Sequence, residues 1–99
     1  MSDTLLLALV DRALSGSGAF QVAQDGVRAT LGPSPQGGFV LEVGRTSGRL
    51  VEREAVDIAV QVHRLLERKG IVLAPEMLAY RGSDRARCFV LASPEAATA

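Results

Sequence analysis

His63 and Cys88 are the one histidine and the one cysteine of the chain, so a thiol–imidazole pair would have to be built from these two side chains. A thiol becomes a nucleophile when a neighbouring base or cation favours its thiolate. Cys88 sits in Arg87-Cys-Phe-Val-Leu-Ala92, beside an arginine but also beside large apolar residues. Packing is the stronger reading, because unbridged cysteine is among the most buried residue types and behaves as a small apolar side chain. His63 stands between Val62 and Arg64, and Glu67 follows it by four residues, a helical spacing at which a carboxylate and a protonated imidazole can pair. One His and one Cys fall short of the ligand set of a zinc site. No catalytic residue, metal site or cofactor is therefore assigned from the sequence.

Glu52, Glu54 and Asp57 lie close together, and paired carboxylates can do acid–base work when they face a cleft. The competing explanation is stronger: anions near a helix start are favoured by the helix dipole, and Arg53 precedes Asp57 by four residues. Gly44-Arg-Thr-Ser-Gly48 matches neither GxGxxG nor GxxxxGK[ST]. With Arg45 and Arg49 it could still hold a phosphate on the free N–H groups of a helix start. Arg81, Arg85 and Arg87 surround a second polar loop. Together Arg45, Arg49, Arg81, Arg85 and Arg87 form the candidate patch for an anion or a nucleic acid. Aromatic platforms for single strands are scarce, since only Phe20, Phe39, Phe89 and Tyr80 are aromatic and the phenylalanines are needed for a core.

The elements that would position these groups follow from periodicity. Leu50 to Lys69 keeps Val51, Ala55, Ile58, Ala59, Val62, Leu65 and Leu66 on one helical stripe, with Glu52, Arg53, Asp57, Gln61, Arg64 and Arg68 opposite. Val56 and Val60 widen the apolar arc, and His63 follows at nearly the same angle. Thr46 or Ser47 is the expected cap, with a start as late as Glu52 allowed. A first helix is expected from about Thr4 to Leu14, capped by Ser2 or Asp3 and stopped by Gly16. It is apolar over much of its surface through Leu5, Leu7 and Ala8.

Asp25-Gly26 between Ala19–Gln24 and Val27–Leu31 predicts a two-residue type I′ hairpin. The register then pairs Gln24 with Val27, Val22 with Ala29 and Phe20 with Leu31 on one apolar face. Gly32 to Gly38 reads as a flexible connection into a third strand, Phe39 to Val43. Ile71 to Ala74 reads as a short strand cut off by Pro75. Met77–Arg81 and Arg87–Ala92 read as a last antiparallel pair. The expected fold is α+β, a two-layer sandwich of two helices on a mainly antiparallel sheet in the order α-β-β-β-α-β-β. It forms one domain over residues 1–92, followed by a disordered tail over 93–99.

Composition sets the remaining bounds. Apolar residues make up 47% and charged residues 22% of the 99 residues, the balance of a folded domain. Eleven basic and eleven acidic side chains cancel, so no global field concentrates nucleic acid or anionic lipid. The single cysteine excludes an intramolecular disulfide, and a reducing cytoplasm is the expected compartment. The apolar run Leu5–Val10 is too short for a membrane span and lacks the cationic start of a signal peptide. The helix–three strands–helix opening resembles the element order of double-stranded-RNA-binding domains, although two strands follow and the second helix has no lysine-rich start. The whole order is similar to that of secretion-chaperone-like domains, which bind partners as dimers. Neither order comes with a matching motif, and no family is assigned.

These readings converge on a non-enzymatic protein-interaction module, a homodimer or a binder of another protein, because two helices and a small sheet leave apolar surface unburied. Val56, Val60, His63 and Leu5 are the candidate interface. The arginine patch is the second reading, and an enzyme the third.

Overall fold

The Asp25-Gly26 turn determines the register of half the sheet. Asp25 and Gly26 both take positive φ, at 54° and 79°, as a type I′ turn requires. They join β1 (Phe20–Gln24) to β2 (Val27–Pro33) with Gln24 opposite Val27, Val22 opposite Ala29 and Phe20 opposite Leu31. The computed structural model describes residues 1–16 and 18–94, without the side chains of Tyr80 and Arg81. Of the tail expected to be disordered, residues 95–99 lie outside the described part.

Three more strands complete the sheet: β3 (Phe39–Arg45), β4 (Leu78–Gly82) and β5 (Ala86–Leu91). All neighbours are antiparallel, in the order β1-β2-β3-β5-β4. With α1 (Asp3–Ser15) and α2 (Glu52–Arg68) the chain runs α-β-β-β-α-β-β, as the periodicities predict. Both helices cover the same face of the sheet. α1 lies over β1 and β2, and α2 lies over β3 and β5. The side chains alternate accordingly: Leu31, Leu41, Val43 and Leu91 are fully buried under the helices with Leu6, Leu9, Val10, Val62 and Leu66.

Three local expectations change. Neither Thr46 nor Ser47 caps α2. Thr46 is engaged elsewhere, its N–H and hydroxyl both donating to the Gly26 carbonyl at 2.9 and 3.3 Å. The Ser47 carbonyl accepts from Arg45 Nε at 3.2 Å. α2 therefore starts after Val51, with no side-chain cap. Ile71 to Ala74 is a connector and not a strand, because Gly70 turns the chain at φ 88° and Pro75 stops any ladder. A single bond from the Ala74 N–H to the Ala92 carbonyl, 2.8 Å, fastens it to the end of β5. Gly32 and Pro33, expected in a flexible loop, extend β2 and pair with Val40 and Phe39. Pro33 is tolerated because it is the last residue of the strand.

Candidate interaction surface

The sheet separates the two side chains that could have formed a nucleophile–base pair. Phe89 opposes the buried Leu41 and so faces the helices, which puts its neighbour Cys88 on the opposite face. There the Cys88 thiol lies 3.7 Å from Glu42 Oε2, and Glu42 is 3.7 Å from Arg28. His63 lies in the helix layer, 9% exposed. Its Nε2–H donates to the Ala74 carbonyl at 3.0 Å, and Nδ1 is 3.1 Å from Glu67 Oε1. The ring therefore clamps the connector after α2 to the helix. The two groups thus lie on opposite faces of the sheet, and among the described residues no cluster of three or more His, Cys, Asp or Glu could hold a metal ion.

The two arginine groups do converge. The Arg45 N–H donates to the Arg85 carbonyl at 3.0 Å and the Leu50 N–H to the Asp84 carbonyl at 2.7 Å, which draws the approach to α2 against the β4–β5 loop. Acids arrive with them. Arg45 pairs with Glu54 at 3.2 Å and Arg87 with Glu52 at 3.6 Å. The groove between the two segments, about 470 Å³, is lined by Arg49 and Arg87 but also by Glu52 and Asp84. Arg49 and Arg85 remain exposed, while the Arg81 side chain is outside the described part. Spacing along the chain cannot reveal this compensation, since the carboxylates that meet Arg45 and Arg87 come from another segment. A fluorescently labelled single-stranded oligonucleotide, titrated at low ionic strength, is expected to give a flat anisotropy curve. A saturable, salt-sensitive rise would instead place a basic site at this end.

The apolar candidates divide into two surfaces. Gln61 and Leu65 line a groove with Thr4 and Leu7 of α1. Val56 and Val60 lie about 100–180° around α2 from them, given 3.6 residues per turn, and so face the β4 side of the molecule. Among the described residues no helix packs on β4. Val56 is 39% exposed and Val60 half-buried at the margin of this uncovered region, whereas His63 beside them is occupied by its two oxygen partners. Leu5 belongs elsewhere. It is two residues from Leu7, about 160° away around α1 by the same geometry, so it points toward β1 and is half-buried. Sequence reasoning did not single out Leu78, which is 63% exposed at the start of β4, or the outer edge of β1. The absence of charge in Phe20–Gln24 was the available signal for the second.

Fold and surfaces together define a five-stranded antiparallel sheet backed on one face by two helices, with apolar side chains left at both margins of the helix layer. Comparison with protein-family models, with curated proteins and with solved structures found no match to the chain. No helix among the described residues is long and apolar enough to cross a membrane.

Proposed function

We propose that the chain is a small non-enzymatic interaction module that works as a homodimer and presents the α2 flank, Val56 and Val60, to another protein. The observation that carries the reading is the incomplete helix layer. Two helices back four of the five strands, and the resulting margins hold Val56 on one side and Leu5 on the other, with Leu78 at the foot of the uncovered strand. Apolar groups at two separated margins suit two contacts, one with a second copy and one with a partner.

A cytoplasmic setting is consistent with the single buried cysteine, which needs no oxidising compartment. Nucleic-acid binding through Arg45, Arg49, Arg85 and Arg87 is the weaker reading, because Glu54 and Glu52 pair with Arg45 and Arg87 and Asp84 lines the same groove as Arg49.

Light scattering at micromolar concentration is expected to return twice the 10.4 kDa chain mass. A mass of one chain, unchanged up to 100-fold higher concentration, ends the homodimer reading.

A further inference from the structure

We infer that two copies join through β1, paired antiparallel about Val22, so that the two sheets continue as one. The inference rests on the homodimer reading and assigns its interface.

The sheet has two edges, and they are guarded differently. β4 carries Arg81 and is broken by a register shift between Ala79 and Arg81. Bulges and charges of this kind are how edge strands avoid pairing. β1 has none of these devices. Phe20-Gln-Val-Ala-Gln24 contains no charge and no proline, and its register with β2 is unbroken over all five residues.

The hairpin also determines which backbone groups point outward. A two-residue turn makes Gln24 and Val27 a bonded pair, and alternation does the same for Val22 with Ala29 and Phe20 with Leu31. The N–H and C=O groups of Gln21 and Ala23 therefore face away from β2. Among the described residues they make no backbone bond outside the ladder. A two-fold axis at Val22 sets Gln21 opposite Ala23 of the second copy, so these two residues exchange both bonds, and the symmetry repeats the exchange. Val22 then meets its own copy as a non-bonded pair, the closer of the two antiparallel spacings. Phe20 falls beside Gln24 of the second copy.

Side chains and charges agree with this register. Phe20 and Val22 lie on the helix face and are only half-buried, so a second β1 would cover them, and Leu5 stands above on α1. The N-terminal end of α1 is tied to Gln24, whose Oε1 accepts from the Ser2 N–H at 2.8 Å. α1 thus runs opposite to β1, with Arg12 near the Phe20 end and Asp25 beyond the Gln24 end. Neither has an ion-pair partner among the described residues. The two-fold axis brings Arg12 of one copy toward Asp25 of the other.

The test is a set of variants read by light scattering and non-reducing electrophoresis, with circular dichroism for folding. Gln21→Lys combined with Ala23→Lys puts lysines on the exposed face opposite one another across the axis, and is expected to lower the mass from two chains to one. Val22→Cys is expected to form a covalent dimer under mild oxidation, while wild type, with Cys88 buried, does not. Val56→Glu is expected to leave the dimer intact. A wild-type monomer removes the homodimer reading itself. A dimer that survives the lysine pair, gives no Val22→Cys bridge, or is dispersed by Val56→Glu overturns the β1 assignment alone.

Discussion

Gly38→Ala is expected to lower stability by about 2–5 kcal/mol, read as a fall in the urea midpoint at constant slope. Gly38 has φ 85°, where a Cβ costs about 1–2 kcal/mol. The same Cβ would run into the Leu91 carbonyl and lie 2.8 Å from the Ser93 nitrogen and 2.9 Å from the Ala92 Cα. These are backbone atoms, fixed by the β3–β5 ladder and by the bond from Ala74 to Ala92. No side chain can rotate away, so the clash must move a strand end, which adds about 1–3 kcal/mol. Gly48 is the control. Its φ is 78°, yet nothing lies within 4 Å of the Cβ position, so Gly48→Ala should cost only the backbone share. Equal losses at the two glycines would show that the close approach of Gly38 to the end of β5 is wrong. Because a domain of this kind has only about 5–15 kcal/mol in total, the Gly38 variant should be visibly less abundant on expression.

Leu41→Ala should be comparably damaging, at about 3–4 kcal/mol, for a different reason. Leu41 is fully buried at the centre of β3, between Leu31 of β2 and Phe89 of β5, beneath the helix layer. Removing most of its side chain loses transfer energy and leaves a cavity. Neighbours held in a five-stranded ladder cannot close that cavity by moving. Leu78→Ala, on a side chain 63% exposed, should stay within about 0.5 kcal/mol. If Leu41→Ala were as mild, the core would not be centred on β3.

Both predictions bear on the interaction reading. Val56→Glu and the paired lysine substitutions lie at margins of the helix layer and at the sheet edge, away from Leu41 and Gly38. A fall from two chains to one in the lysine pair, with an unchanged circular dichroism spectrum, separates lost association from lost folding, while Val56→Glu is expected to keep the mass of two chains. The arginine cluster offers no such leverage, because Arg45 and Arg87 are already engaged by Glu54 and Glu52.

The sequence by itself determined the parts of this protein that depend on neighbours along the chain. Asp25-Gly26 dictates a turn with two positive φ angles, and the alternation on either side of it then admits one register with a common apolar face. The stripe from Ala55 to Leu66 dictates a helix and its buried side in the same way, and the α+β order follows. Only the tertiary structure decided the rest, because each remaining question depends on partners distant in sequence. Thr46 has the composition of a cap, yet its donors go to Gly26, twenty residues earlier, and α2 starts uncapped. Arg45 and Arg87 have the spacing of a basic patch, yet α2 delivers carboxylates to both. His63 and Cys88 could be partners on paper, and strand parity puts them on opposite faces. Val56, Val60 and Leu5 all register as surplus apolar surface from periodicity alone. Strand order decides that they lie at opposite margins of the helix layer, because β4 pairs with β5 at one edge and leaves β1 unguarded at the other.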